Sequence, residues 1–374
     1  MSKNVGDARI TDEGLAELRS RIGKERPCAA WNEEASKDAI WHFAEGVGDD
    51  NPLWRDEEYA KQTRWGGIIA PPHFLHSCVM PSGGAPGGGL PGVFCMWAQD
   101  RWEWYQPIRV GDRIKGTGKL VTVEEKQGRF SGRMVDQTLL NTFVNQRGEV
   151  IARYWNTGLR FERTATREKK KYEHVDSTFK YTDDQMEAII ESYRNEKRRG
   201  NLPRYWEDTQ VGEEMAPIVK GPLTVTSMVT WLMGWGSPLC KTDRIAHLYM
   251  DSHPGARIVD PATNVPDLPE CSHWNLDLAK HSGLPGLYDI GAQRVSWCGH
   301  FMTDWIGDDG FLKGITVQLR SPNLVGDTTR ISGKVTGKRI EGDEHLVECE
   351  FLGENQKGET TTRGNALVAL PSKK

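Results

Sequence analysis

Gly48-Asp49-Asp50-Asn51-Pro52-Leu53-Trp54, followed by Asp56, Ala60 and the run Gly66-Gly67-Ile68-Ile69-Ala70-Pro71-Pro72, is the stretch on which the fold turns. It has a fainter copy in His273-Trp274-Asn275-Leu276-Asp277, Ala279, Gly283 and Gly291, with Ala60 and Ala279 separated by 219 residues. Working outward, Pro107-Ile108-Arg109-Val110-Gly111-Asp112 returns as Pro322-Asn323-Leu324-Val325-Gly326-Asp327 after 215 residues. Asn145-Gln146-Arg147-Gly148-Glu149 returns as Asn355-Gln356-Lys357-Gly358-Glu359 after 210. Three matches in register at nearly constant spacing mark an internal duplication.

Each copy reads as a helix, a glycine-containing turn, a second helix and then several long strands with no helices between them. That order implies an antiparallel sheet packed on a helical layer, an α+β arrangement, rather than alternating βαβ units. Ser36 can cap a first helix bearing Ala39, Ile40 and Phe43, which Gly46 and Gly48 end; Thr224, Met228, Trp231, Gly234 and Gly236 play the same parts in the second copy. The correspondence sets Ser237 where Asp49 stands. The organisation expected is a first domain over 1–165, a linker with a helix over 166–201, and a second domain over 202–374 carrying an insertion at 238–272. In the linker, Arg167-Glu168-Lys169-Lys170-Lys171 is a solvated charge run. Thr182-Asp183-Asp184-Gln185 has capping-box spacing and starts a helix running to Lys197-Arg198-Arg199-Gly200. Pro81 to Gly92, with six glycines, reads as a mobile loop without a phosphate-cradle pattern.

A net charge of -4 with both signs interspersed carries no nucleic-acid or anionic-membrane footprint. No apolar run approaches the roughly 18 residues a bilayer span needs, and Met1-Ser2-Lys3-Asn4 lacks a secretory apolar core, so a cytoplasmic protein is expected. The seven cysteines are scattered, with no Cys-x-x-Cys pair, and indicate neither a disulfide framework nor a zinc site. Fourteen tryptophans cluster around the two motif copies. They read as core and interface, or as the wall of a broad pocket for a bulky acyl group.

Glycine, Asp49, a spacer, Asn51-Pro52-Leu53, a position that should hold histidine, then Asp56 and Ala60 resemble the motif of the MaoC-like (R)-specific enoyl-CoA hydratases and dehydratases. The resemblance covers nearly the whole chain and implies a tandem (double) hot-dog fold, with antiparallel sheets wrapped around long central helices. It further implies that an aspartate and a histidine five residues later hold a water, which adds across the double bond of a 2-enoyl thioester. A backbone N–H at the start of the central helix then polarises the thioester carbonyl. Charge builds on that oxygen, so a fixed donor lowers the barrier while a paired acid and base move the protons. Losing one such donor typically costs about 2.7 to 4 kcal/mol.

Against that motif, the first copy keeps Asp49 but places Trp54 at the histidine position, and an indole N–H cannot act as a base. Its helix starts at Pro72, which has no N–H to offer. The first copy is therefore expected to shape the acyl pocket, with Asp49 either structural or a residual site group. The second copy has His273 and Gly291 at the family's spacing, but Ser237 replaces the aspartate and about 30 extra residues intervene. Asp243, Asp251, Asp260 and Asp267 in that insertion are candidates to orient His273, Asp267 being nearest in sequence. His73 and His76 are assigned no role, and His247, His253, His281 and His300 show no metal-ligand spacing. The expected function is a hydro-lyase on a 2-enoyl-CoA or 3-hydroxyacyl-CoA thioester, with His273, Gly291, Asp267 and Asp49 as candidate catalytic residues. It uses no cofactor or metal beyond the CoA thioester itself, with a possible homodimer as the assembly. A non-catalytic acyl-CoA-binding or partner subunit, and a thioesterase, are the alternatives.

Overall fold

The computed structural model describes residues 8–79, 90–128, 132–162, 179–260, 262–281 and 284–374. Most of the glycine-rich stretch from Pro81, the charge run Arg167–Lys171 and Gly283 lie outside the described residues. The first unit runs α1 (Asp12–Arg19), β1 (Arg26–Pro27), α2 (Lys37–Val47), a 3-10 turn Pro52–Trp54 and α3 (Glu57–Lys61). A 3-10 helix Pro72–Cys78 then precedes β2 (Phe94–Trp104), β3 (Lys115–Gly128), β4 (Gly132–Val144) and β5 (Val150–Phe161). After α4 (Asp183–Arg194) the order recurs with β6 (Glu214–Lys220) and α5 (Val225–Trp235). Next come α6 (Asp243–Ser252), the hairpin β7 (Ile258–Val259) and β8 (Pro266–Asp267), a 3-10 helix Pro269–His273 and α7 (Leu276–His281). The chain closes with α8 (Gly291–Ile306), β9 (Phe311–Leu319), β10 (Thr329–Glu341), β11 (Glu344–Asn355) and β12 (Thr360–Ala369).

Ten strands form one sheet in the order β1-β3-β4-β5-β2-β9-β12-β11-β10-β6. Reading outward from the antiparallel β2·β9 seam, where Trp102 faces Ile315 and Asp100 faces Val317, the two halves repeat each other strand for strand. The duplication holds down to single hydrogen bonds. Asn145 Oδ1 accepts the amides of Arg147 and Glu149 at 3.0 and 3.1 Å, and Asn355 Oδ1 accepts those of Lys357 and Glu359 at 3.0 Å each. Asp112 accepts the Arg109 amide at 2.9 Å, as Asp327 accepts that of Leu324 at 2.8 Å. Gly111 and Gly326, at φ 84° and 95°, make the turns that only glycine adopts without strain. This is the tandem hot-dog, α+β throughout.

The helices obey local rules. Ser36 and Thr224 cap α2 and α5 through the amides of Ala39 and Ser227, and the left-handed Gly48 and Gly236 end them. Gly46 and Gly234 serve another purpose: α2 and α5 cross antiparallel, with Gly46 against Thr230–Trp231 and Gly234 against His42–Phe43. Thr182 and Gln185 form the expected capping box, but α4 ends at Arg194, short of the basic run. One apolar cluster draws on both units, including Phe43, Phe74, Trp102, Trp231, Phe301 and Val317. In its middle lies α8, whose residues from Ala292 to Ile306 are all buried, its polar side chains held by partners such as Asp289 for Arg294 and Lys220 for His300. Among the described residues only the second unit has a long central helix. In the first, the prolines at 71 and 72 lead into seven residues of 3-10 helix, a departure from the two long helices expected. Among the described residues no helix is long and apolar enough to cross a membrane.

Candidate functional site

The second unit brings His273 to the start of α8. Its Nδ1 lies 3.0 Å from the Tyr288 carbonyl, and its ring lies against the Tyr288 ring at 4.2 Å. A carbonyl only accepts, so Nδ1 carries the proton and the Nε2 lone pair is left for other use. Burial holds the imidazole below its ordinary pKa, and the carbonyls of Tyr288 and Asp289 work against that shift. The neutral ring can therefore accept a proton at neutral pH. The turn beneath it is fixed by a buried bidentate pair, Arg294 Nε and Nη2 to the Asp289 carboxylate at 2.6 and 2.5 Å. Tyr288 is tied by its hydroxyl to Ser272 Oγ at 2.9 Å.

Gly291 opens α8, and no side chain among the described residues caps that terminus. Its first amides thus present the positive end of a sixteen-residue helix to whatever lies before it. Glycine is required at this position by close packing. A Cβ at 291 would sit 2.6 Å from the Trp97 side chain, which reaches across from β2 of the first unit. Trp97 is itself anchored by its indole N–H to Asp100 at 2.7 Å.

Ser237 stands in the place of Asp49. Each follows a left-handed glycine, at φ 64° and 70°, and each side chain accepts the amide two residues on, Leu239 at 3.3 Å and Asn51 at 3.1 Å. The insertion does return a carboxylate to this place, but it is Glu270, not Asp267. Glu270 Oε1 is 3.5 Å from Ser237 Oγ, its Oε2 is buried without a hydrogen-bond partner among the described residues, and burial pushes the carboxyl up to about 7. Asp267 is exposed on β8 and accepts the Leu268 amide at 2.7 Å. Asp260 organises its own turn and holds Asn275 at 2.8 Å. Glu270 escaped the sequence reading, although Pro269 marks the start of a turn in which residues three apart share a face.

Asp49 belongs to a different place. It is buried beside His300, Nε2 to Oδ1 at 3.7 Å, nine residues along α8 from Gly291. At 1.5 Å per residue that is about 14 Å, so Asp49 and His273 do not share a site. His300 Nε2 is also 3.2 Å from Asp304 Oδ2. Lys220 Nζ lies 2.7 Å from His300 Nδ1 and donates to the Gly48 carbonyl at 3.0 Å. An ammonium can only donate, so the imidazole is neutral and protonated at Nε2. Burial and the Lys220 charge hold His300 down at about 4, while burial raises Asp304 to about 7 and lifts Asp49 above the ordinary carboxylate range. Asp49, His300 and Asp304 offer ligand atoms within 4.8 Å of one another, the geometry of a small cation site. The Lys220 ammonium already supplies a positive charge at this cluster, which fits an internal ion network better than a metal centre.

The first unit's own motif surrounds a small pocket. Trp54, Trp65, Trp104 and Phe311 are among its walls, with Pro72 at the helix start and Thr303 to Asp308 at the far end of α8. At the motif's histidine position stands the indole of Trp54, and at its helix start the imide nitrogen of Pro72. His73 and His76 are buried against Trp102, with no hydrogen-bond partner at Nε2 among the described residues. Burial keeps both uncharged.

Residues 20–154 match the family described as "FAS1-like, dehydratase domain region". A protein of Streptomyces avermitilis named only "UPF0336 protein" is 30% identical over 121 residues, 31% of this chain and 73% of that one. One of Thermomonospora curvata, named "Probable enoyl-CoA hydratase alpha subunit", is 28% identical over 131 residues, 30% of this chain and 40% of that one. In three dimensions the chain superposes on a solved "MaoC-like dehydratase" at 18% identity with a TM-score of 0.63, covering 95% of this chain and 99% of the other. With the mirrored ten-stranded sheet and the paired motif copies, these likenesses show a double hot-dog fold, and the chain belongs with the UPF0336 proteins.

Proposed function

We propose that the protein adds water to a 2-enoyl-CoA thioester, or removes it from the 3-hydroxyacyl-CoA, at the start of α8 in the second unit. One observation carries the reading: His273 is hydrogen-bonded to the carbonyl of Tyr288, three residues ahead of Gly291, so a base and an uncapped helix terminus are held on one short segment. His273 Nε2 takes and returns the water's proton, and the Gly291 amide faces the thioester oxygen as charge builds there. The name of the Thermomonospora relative agrees with this chemistry. The first unit contributes Trp97 as a wall of the site, while its own motif lacks both base and donor.

The test is turnover. Purified protein is offered 2-enoyl-CoA thioesters of increasing acyl bulk, and product is followed by loss of the conjugated-thioester absorbance and by mass. The expected product is the thioester plus one water. Release of free CoA would mean hydrolysis instead, and saturable binding with unchanged ligand mass would mean a binding subunit; either result contradicts the proposal.

A further inference from the structure

We propose that Glu270 is the second acid–base group of this site, supplying through the insertion the carboxyl that Ser237 lacks. The inference rests on the hydration reading above. The offset between the units is 188 residues at α2 and α5 but 219 at α3 and α7, so 31 extra residues enter between Ser237 and α7. Those residues end in the 3-10 helix Pro269–His273. With three residues per turn, Glu270 and His273 are eclipsed on one face of it. Glu270 Oε1 meanwhile reaches Ser237 Oγ at 3.5 Å, the place where the first unit has the Asp49 carboxyl. Oε2 is left buried and unpartnered among the described residues, a cost in stability that a catalytic group repays in rate and an ordinary core residue does not.

His273 Nε2 removes a proton from water as the water oxygen bonds to C3, and the C2=C3 pair shifts toward C1 while the carbonyl pair moves onto oxygen, facing the Gly291 amide. The protonated Glu270 carboxyl then gives its proton to C2, the enolate pair forms the C–H bond, and the carbonyl is restored. The imidazolium returns its proton to the Glu270 carboxylate, and dehydration runs the same path backwards.

Glu270 must be protonated at the start of hydration, so kcat/KM should fall as pH rises through about 7, the value to which burial lifts it. The other ionisable groups at this carboxyl are Asp267, Lys241, Cys240 and Tyr249.

The experiment compares the full chain with H273A, E270Q and S237D/E270Q, using the most rapidly hydrated 2-enoyl-CoA across the pH range. E270Q is expected to lose about a hundredfold or more in kcat/KM, the scale of a positioned acid, and to lose the alkaline limb. S237D/E270Q is expected to recover much of the loss, which a folding defect in E270Q would not permit. An E270Q enzyme with wild-type rate and an unchanged alkaline limb overturns the proposal while H273A still reports on the base. A loss that S237D does not rescue, with the limb unmoved, assigns Glu270 a structural role and overturns it as well. If the wild-type chain turns over no enoyl thioester, or H273A is as fast as wild type, the hydration reading fails and the role of Glu270 falls with it.

Discussion

Lys220 is the residue on which the seam between the units makes its largest electrostatic demand. It is buried, it comes from the second unit, and its ammonium donates to the Gly48 carbonyl of the first while bonding His300. Two carboxyls, Asp49 and Asp304, sit within the same cluster. Removing one partner of a buried ionic set leaves the rest uncompensated, typically at about 3 to 5 kcal/mol. Lys220→Met should therefore lower unfolding free energy by about that much above neutral pH, measured by denaturant titration. The sign with pH follows from Asp304, whose folded pKa is raised to about 7. A raised acid favours the fold at low pH and loses that advantage as pH climbs through about 7, so the Lys220→Met penalty should shrink on acidification. A penalty that grows toward acid would contradict the network. None of this was legible beforehand, because His300 and Asp304 stand one turn apart on α8 while Lys220 and Asp49 come from remote points of the chain, with no shared motif. Glu270 was within reach of the sequence, but only aspartates were weighed as partners of His273, Asp267 being the nearest of them, whereas the turn geometry favours the residue three before His273.

At the scale of elements, α2 and α5 approach closely because each contributes one glycine to the crossing. A Cβ at Gly234 would overlap the His42 carbonyl, which is backbone and cannot swing aside, whereas one at Gly67 meets nothing within 4 Å. Gly234→Ala should then cost about 1 to 3 kcal/mol, the usual range for overpacking, and Gly67→Ala should be close to neutral. Thermal melting of the two variants side by side decides it, and equal midpoints would show that the crossing is looser than described. The caps and stops of these helices were readable from Ser36, Thr224, Gly48 and Gly236 because capping is local chemistry. The close crossing was not, since a glycine inside a helix looks like a stop until its partner helix is known. The short 3-10 helix after Pro72 shows the same limit: two prolines announced the missing amides but not how far the helix would extend.

For the whole molecule, the duplication explains both the sheet and the division of labour. The matched phrases at Asp112 and Asp327, and at Asn145 and Asn355, fixed the repeat in sequence because each makes the same turn with the same hydrogen bonds. The pairing across β2 and β9 then puts Trp97 of one unit over Gly291 of the other, so the second unit's site is finished by the first. The units have diverged in complementary ways. One keeps Asp49 but has Trp54 and Pro72 at the histidine and helix-start positions; the other has His273 and Gly291 there, and in the proposed mechanism takes its carboxyl from Glu270 of the insertion. In the function proposed above, acid–base chemistry belongs to the second unit alone. Its most direct test is kcat/KM for enoyl-CoA hydration by His273→Ala and Asp49→Asn, measured together. The account predicts a loss of about a hundredfold or more for His273→Ala and a rate close to wild type for Asp49→Asn, whose amide oxygen can still accept the Asn51 N–H. A near-normal rate for His273→Ala beside a collapse for Asp49→Asn would place the chemistry in the first unit and contradict it.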